Sequence, residues 1–371
     1  MCVTSCDAGK RDKQQTLGPA IRILGVSVGE GRPLPADGVI QIAFDRYLLP
    51  ATVNRASFRI LDGARMQLSP ELLPVPIYDP VARTVTLLPQ RLPWLTEGQP
   101  YTLVLDIPEG DAEQGGVRAI DRATLFAAQK REFAFFVGPK TGATFEPRVS
   151  FCREVLPIFT AKCNTPTCHG SGIDVAAGLV LDTSAGVGAT ALNRIAQGSN
   201  TGGRSAGAPT ARKLFGVDMP IIDPGNPGNS WLMYKIDLAR PPTLSQPMPN
   251  FACTNGLRET DVTKFSFSPL VPQAQRSVDD LERSILDDFI LGREMPFPVP
   301  SPGGYSDQAL TFAEREKVRL WIKDLVPGGA LPECGGCGLV PESDAGQAEA
   351  GTADAGATDA ADAGATDAAD Q

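Results

Sequence analysis

The sequence predicts a multidomain protein in which an all-β sandwich comes first, a mainly α-helical domain with long loops follows, and a disordered acidic tail ends the chain. Three observations support this prediction. Apolar and polar residues alternate in short segments between residues 19 and 139, which is the pattern of half-buried strands. Helical periodicity with capping residues occurs between residues 148 and 332. Residues 338–371 are dominated by Ala, Asp and Gly.

The first region, residues 19–139, contains roughly six or seven such strands, which is typical of an antiparallel sandwich. The strands are expected at Ile21–Ile23, Val39–Phe44, Phe58–Ile60, Thr84–Leu88, Tyr101–Leu105 and Phe133–Val137. Turn signals such as Asp62-Gly63 and Glu97-Gly98 separate them. The acids and arginines of this region offer no catalytic pairing, so we expect them on solvated faces of a scaffold or docking module.

Several stretches of the first region resemble bacterial Ig-like (SbsA-type) domains of envelope proteins. The matching stretches are Phe44–Arg46 before Leu49–Asn54, then Thr84–Pro89, Leu95–Thr102, and Asp121-Arg122 before the last strand. They cover nearly the whole region, although they consist mostly of strand and turn residues. The resemblance implies an Ig-like sandwich on a protein of the cell envelope.

The second region, residues 148–332, contains three segments with helix signals. Ser150 can cap a helix that runs to Lys162, with a kink or a delayed start at Pro157. Ser277 can cap a helix over 278–291 whose buried stripe is expected at Leu281, Ile285 and Phe289. The sequence Thr311-Phe312-Ala313-Glu314 is a capping box, and the helix that it opens should bury Val318, Trp321, Ile322 and Leu325.

The chain has a single histidine, and it stands in the sequence Cys163-Asn164-Thr165-Pro166-Thr167-Cys168-His169-Gly170. Two cysteines with a histidine directly behind the second one can attach haem, because the thiols bond the porphyrin edge while the imidazole binds the iron. Two alternatives remain open. A zinc site could use Cys163, Cys168 and His169 with a fourth thiol, although adjacent ligands strain a tetrahedral centre. The second alternative is a disulfide between Cys163 and Cys168, with the histidine facing solvent.

This segment resembles the attachment site of c-type cytochromes, with the spacing C-x-x-x-x-C-H in place of the usual C-x-x-C-H. Further stretches resemble bacterial envelope cytochrome-c-like domains, in the order of that family: Val155–Phe159, Ala176–Asp182, Pro224–Ser230 leading into Trp231–Leu238, Glu294–Pro296, and a last helix bearing Trp321-Ile322. The resemblance implies one covalent haem c held by Cys163 and Cys168, with His169 as the proximal iron ligand. It implies electron transfer by a carrier, and no catalytic residues.

The sixth position of the iron is expected to hold a methionine, since no second histidine exists in the chain. Met295 lies just ahead of the last helix, where the resembled family carries its distal methionine. Met248 and Met219 are alternatives because each also precedes a proline, and an iron with an open sixth position is a further one. Met233 fits a core position better. Arg194 and Lys235 are candidate partners for the haem propionates.

Charge and hydropathy exclude two classes of function. The formal net charge is −9, but residues 341–371 hold eight acids and no base, so the rest of the chain carries only −1. A nearly neutral body argues against nucleic-acid binding. No run of about 18 apolar residues is present, so no helix is expected to span a membrane. The tail repeats the octapeptide of residues 354–361 at 362–369 and is expected to be a disordered spacer.

Eight cysteines favour an oxidising compartment. Met1-Cys2 followed by a polar stretch to residue 18 resembles a mature bacterial lipoprotein, which implies a lipid on Cys2, a flexible linker over 1–18, and a position in the periplasm or on the outer cell surface. The alternative is an ordinary cysteine. Cys152, Cys253, Cys334 and Cys337 are the candidates for disulfides, with the pairing open.

The sequence therefore predicts a lipid-anchored envelope cytochrome with one haem, which exchanges electrons with a redox protein. The Ig-like sandwich would hold the haem domain away from the membrane, and contact with the membrane would be made by the lipid alone. A structural or adhesive surface lipoprotein whose cysteines form disulfides is the alternative. A haem sensor with an open sixth position is the third possibility.

Overall fold

The computed structural model describes residues 18–107, 116–141, 146–164, 168–172, 175–196, 218–240, 280–290, 294–297, 299–301, 304–306 and 309–334. Several sequence predictions fall outside these ranges. They are the lipidated Cys2 with nearly all of the linker, the tail 338–371, Met248, Cys253, Cys337 and the Ser277 cap.

Within the described residues, the first region folds into two four-stranded sheets. The strands are β1 (Ile23–Val26), β2 (Leu34–Pro35), β3 (Ile40–Phe44), β4 (Phe58–Leu61), β5 (Val75–Asp79), β6 (Thr84–Leu88), β7 (Pro100–Leu105) and β8 (Glu132–Gly138). One sheet has the order β1-β3-β6-β5 and the other has the order β2-β8-β7-β4. A separate antiparallel hairpin is formed by β9 (Val299–Ser301) and β10 (Gly304–Ser306).

Alternating residues from both sheets share one hydrophobic core. Between β3 and β6, Ile40 pairs with Leu87 and Ile42 pairs with Val85, and all four side chains are fully buried. Strands β4 and β7 pair in the same antiparallel way and bury their alternate residues in that core. Period-2 patterning therefore predicted β3, β4, β6, β7 and β8, but neither β5 nor the two-residue strand β2.

Two features of the sheets differ from the prediction. Strand β5 was not expected, because Pro76 interrupts the strand pattern. It lies at the edge of its sheet, where a residue without an N–H is tolerated. The pairing of Leu34 with Val137 is parallel, whereas the sequence predicted an antiparallel arrangement throughout.

The second region contains short α-helices joined by loops. The described helices are α1 (Leu156–Lys162), α2 (Ser184–Thr190), α3 (Trp231–Leu238), α4 (Asp280–Phe289) and α5 (Phe312–Asp324). A turn of π-helix at Phe151–Val155 precedes α1, and the Ser150 side chain accepts from the Arg153 amide at 3.4 Å. Because Pro157 has no N–H, it fits the first turn of α1, and the delayed start predicted there is confirmed.

Helix α5 begins as its capping box predicted. The Thr311 hydroxyl accepts from the Glu314 amide at 3.2 Å, and the Glu314 carboxylate accepts from the Thr311 amide at 2.7 Å. Trp321 is buried and stacks on Phe151, with 4.9 Å between the ring centroids. The expected role of Trp321 in the core is therefore confirmed, and the stack ties the last described helix to the start of the second region.

The buried stripe predicted for α4 is correct at Phe289, partly correct at Ile285, which is half-buried against the core, and wrong at Leu281. Leu281 is 56 % exposed, whereas Leu286 and Phe289 are buried together with Glu282. The physical reason is a long-range ion pair that the helical pattern does not contain: a Glu282 carboxylate oxygen accepts from Arg46 Nε at 2.8 Å. This contact rotates α4 so that Glu282 faces the sandwich and Leu281 faces solvent.

Buried charges join the two regions, which is contrary to the expectation of solvated faces in the sandwich. Arg46 is 2 % exposed and also donates to Asp121 at 2.9 Å. Arg319 of α5 lies 3.2 Å from the carboxylate of Asp79. Because these pairs and the shared core connect both regions, all described residues belong to one compact unit.

Candidate functional site

Cys163 lies at the end of α1, and a backbone hydrogen bond joins it to His169. The Cys163 amide donates to the Phe159 carbonyl at 2.8 Å and thereby continues the helical pattern. The His169 amide then donates to the Cys163 carbonyl at 3.0 Å. In a helical C-x-x-C-H segment, the histidine amide reaches the first cysteine's carbonyl four residues earlier. Here the same two groups meet although six positions separate them, so the same backbone contact is made at the longer spacing.

The His169 imidazole is held in one orientation and one tautomer. Its Nδ1 lies 3.1 Å from the Leu179 carbonyl, and because a carbonyl can only accept, Nδ1 carries the proton. Nε2 is then the nitrogen with the lone pair, which is what a metal ion requires. Burial lowers the pKa of His169 below its ordinary value, while hydrogen bonding to the Leu179 and Ala176 carbonyls opposes this and Lys235 adds to it. The ring is therefore neutral at pH 7.

The two thiols have different surroundings. Cys163 is 7 % exposed and belongs to the apolar cluster of the second region, whereas Cys168 is half-buried. Burial raises the pKa of Cys163 to about 12, with a smaller contribution from Cys168. Both cysteines are thiols, so the alternative of a Cys163–Cys168 disulfide is not what the structure contains. Among the described residues, no three His, Cys, Asp or Glu side chains are arranged to hold a metal ion.

The Asn164 side chain comes very close to Gly170, so a side chain at position 170 would displace it. A Cβ at position 170 would lie 1.9 Å from Asn164 Oδ1 and 3.5 Å from a carboxylate oxygen of Asp182. That oxygen of Asp182 accepts from the amide and the hydroxyl of Ser171, both at 2.8 Å. These contacts fix the chain on the C-terminal side of His169. Sequence reasoning assigned no role to Asn164 and Asp182, although a glycine directly after the histidine is a signal of close packing.

Met295, the first candidate for the sixth ligand, lies beside α3. Its amide donates to the Lys235 carbonyl at 3.0 Å. The side chain of Lys235 is buried, and its charge acts on the His169 imidazole. The loop that carries Met295 is thus attached to α3 at Lys235, whose charge acts on His169. Lys235 is also one of the two candidate propionate partners, and its effect on the pKa of His169 places it near the imidazole.

The other candidates lie elsewhere. Met219 is fully buried in the core shared with the sandwich, whereas Cys163 belongs to the separate cluster of the second region. Met233 is also fully buried, as expected for a core residue. Arg194, the second candidate propionate partner, is exposed and donates to the Ala189 carbonyl at 2.9 Å.

One disulfide is present among the described cysteines, and it joins two of the four candidates. Cys152 in the π-turn is bonded to Cys334, which lies 182 residues later and follows α5. The Ser184 hydroxyl contacts the Cys334 sulfur at 3.2 Å. The bond therefore links the beginning of the second region to its end, on the side where Phe151 stacks on Trp321.

Comparisons with known proteins give only weak similarities. No protein-family model and no curated protein matches the chain. The N-terminal part of the bacterial S-layer protein SbsC is 16 % identical over 34 % of this chain and 25 % of that chain, with a TM-score of 0.24. The native conformation of E. coli alpha-2-macroglobulin is 14 % identical over 40 % of this chain and 8 % of that chain, with a TM-score of 0.23. Such TM-scores do not establish a common fold. No described helix is long and apolar enough to cross a membrane.

Proposed function

We propose that the chain is a c-type monohaem protein of the bacterial envelope that transfers single electrons. The observation that carries the proposal is the arrangement of Cys163, Cys168 and His169, in which the His169 amide donates to the Cys163 carbonyl at 3.0 Å. It holds two thiols and a neutral imidazole on one short segment, and it satisfies Nδ1 of that imidazole with a backbone carbonyl. Thiols and a histidine in this order are the groups that attach haem covalently and bind its iron.

Each residue of the segment has a separate task in this proposal. The cysteines hold the porphyrin edge, and His169 binds the iron through Nε2. The Leu179 carbonyl fixes the ring and raises the basicity of the ligand. When bound, haem supplies an iron that cycles between two oxidation states. Met295 is the proposed sixth ligand, and a thioether there would raise the reduction potential relative to a second histidine.

The two-sheet region is proposed to be an Ig-like scaffold, and the region 148–332 a cytochrome-c-like domain. Because buried ion pairs and a shared core join the two regions, the scaffold would hold the haem domain rigidly. A lipid on Cys2 and a position in the periplasm or on the outer cell surface are proposed from the sequence alone. The Cys152–Cys334 disulfide is in keeping with an oxidising compartment.

The test is expression in a host that has a c-type haem maturation system. We expect a covalent pigment with Soret and α absorption bands that stays with the polypeptide after denaturation. The variant Cys163→Ala/Cys168→Ala should lose it. The matched control Cys152→Ala/Cys334→Ala also removes two cysteines but leaves the attachment segment intact, so it should keep the pigment. Colourless wild-type protein would favour the structural or adhesive lipoprotein instead.

A further inference from the structure

One end of the sandwich presents aromatic rings together with exposed cations. Phe126 is 46 % exposed, and Lys130 and Arg131, which follow it closely in the chain, are exposed as well. The guanidinium of the exposed Arg22 lies over the Phe126 ring, 5.7 Å from its centroid. The Lys130 ammonium lies over the Phe133 ring at 5.5 Å. These five residues form a surface that we call the aromatic-basic end.

Backbone contacts hold the aromatic-basic end in place. The Phe126 amide donates to the Ile21 carbonyl at 2.8 Å, and the Gln129 amide donates to the Phe126 carbonyl at 3.0 Å. The Gln129 carboxamide accepts from the Ile23 amide at 2.9 Å and donates to the Ile23 carbonyl at 2.7 Å. The start of β1 and the segment with Phe126 are thus joined, so the rings and the cations are displayed from a fixed backbone.

The charge of the aromatic-basic end is positive. Two acids lie beside its cations, and both already have partners. Asp45 accepts from the Arg22 amide at 2.8 Å, and Glu132 accepts from Arg65 at 3.0 Å. Exposed aromatic rings next to Lys and Arg are the combination with which proteins lie in the interface of a bilayer that has anionic headgroups.

We propose that the aromatic-basic end lies on a lipid bilayer with anionic headgroups. Phe126 enters the headgroup region, and Arg22 and Lys130 contact the lipid phosphates. The inference rests on the proposed envelope location and on the proposed lipid at Cys2, but not on haem. Ile21 follows Cys2 by 19 residues, which span at most about 65 Å when fully extended. A tether of this reach keeps the surface near the bilayer, so weak contacts are sufficient. The sequence predicts membrane contact through the lipid alone, and this surface adds a second contact.

The first experiment measures vesicle binding of the full chain, purified without a lipid on Cys2. One kind of vesicle is pure phosphatidylcholine and the other also contains about 30 % phosphatidylglycerol, and flotation separates bound from free protein. We expect binding to the anionic vesicles only. This binding should be lost as the ionic strength rises from about 0.05 M to about 0.5 M, because salt screens exposed charges. Equal binding to both kinds of vesicle, or binding to neither, would overturn the proposal.

The second experiment asks whether the aromatic-basic end makes the contact. Lys130→Gln should lower the partition coefficient for anionic vesicles about fivefold, and Phe126→Ser should lower it by a similar factor. The matched controls are Lys140→Gln and Phe136→Ser, which should bind like the wild type. Lys140 is also exposed and Phe136 is 60 % exposed, but both lie toward the opposite end of β8.

Melting temperatures confirm that the variants are folded, and Lys130→Gln changes only an exposed side chain. If Lys130→Gln and Phe126→Ser bound like the wild type, or if the controls lost as much binding, another part of the chain would hold the vesicles and the proposal would be wrong. Colourless protein that still binds anionic vesicles through these residues would refute the proposed haem and leave this inference standing.

Discussion

Replacement of Arg46 by methionine tests the buried ion pairs that join the sandwich to α4. The guanidinium bridges two carboxylates, with Asp121 at 2.9 Å and Glu282 at 2.8 Å, and both side-chain partners are nearly inaccessible. Methionine fills much of the same space but leaves both carboxylates without their cation. Backbone amides also donate to both carboxylates: Gly18 at 2.6 Å and Ala123 at 3.1 Å to Asp121, and Tyr47 at 2.6 Å to Glu282.

The expected cost in the free energy of unfolding is about 3–5 kcal/mol, which is typical when one partner of a buried ion pair is removed. The free energy of unfolding of an ordinary domain is about 5–15 kcal/mol, so a loss of this size is a large fraction of it. Burial already raises the pKa of Glu282, and Arg46 opposes the rise. Without Arg46 this pKa should rise further, so protonation should recover part of the lost stability as the pH falls from 7 to 5.

The assay is urea unfolding of Arg46→Met at both pH values, with Arg65→Met as the matched control. Arg65 also pairs with a carboxylate, that of Glu132 at 3.0 Å, but its side chain is 61 % exposed. Removal of an exposed pair should cost no more than about 1 kcal/mol. If Arg46→Met were no more destabilising than Arg65→Met, the buried pairs would not hold the two regions together.

Three further predictions concern the disulfide, a buried acid and the proposed iron ligand. The variant Cys152→Ala/Cys334→Ala should lose about 5 kcal/mol of unfolding free energy in denaturant titrations, because the bond closes a loop of 182 residues. Burial raises the pKa of Asp237 to about 6, although Arg315 opposes it. Its folded-state pKa thus lies above the unfolded value of 3.8, so stability gained at low pH is lost as the pH rises through about 6. The resulting change in the free energy of unfolding is about 3 kcal/mol. Urea titrations between pH 4 and 7 should show that Asp237→Asn removes this pH dependence. Met295→Ala should remove the weak red absorption band of sulfur–iron charge transfer from the oxidised haem protein and let carbon monoxide bind the reduced form.

Each of these predictions has a result that would contradict it. Unchanged stability without the disulfide would mean that the ends of the second region are held by packing alone. The exposed control Asp280→Asn should keep the pH dependence of stability. If Asp237→Asn kept it as well, another group would be responsible for the titration. Loss of the red band in Met248→Ala instead of Met295→Ala would transfer the ligand role to that methionine.

Local sequence signals predicted the elements that are stabilised locally. The capping box at Thr311 and the alternation in β3 and β6 are visible within a few residues, and the structure confirms both. The face of α4 could not be predicted in this way. Its orientation is set by Arg46, which lies far away in the chain and was expected on a solvated surface.

The same distinction applies to the candidate site. Cys163, Cys168 and His169 were found by residue identity, because few other residue types bond a porphyrin or ligate iron. The partner of the imidazole is a backbone carbonyl, that of Leu179, and every residue has one. No pattern could single it out, although it lies in a stretch that resembles the cytochrome-c-like family. The burial of Cys163 was equally invisible, since it depends on how α1 packs.

The contact between Arg46 and Glu282 also constrains the order in which the chain folds. The two residues are 236 positions apart, so the sandwich is synthesised long before its partner helix exists. Until Glu282 emerges, Arg46 and Asp121 lie at an incomplete surface, and α4 can dock on it only afterwards. Contacts of such long range slow folding and leave apolar surface exposed in the meantime. Chains that end before residue 282 should therefore aggregate more readily than the complete protein, even though every strand of the sandwich is present.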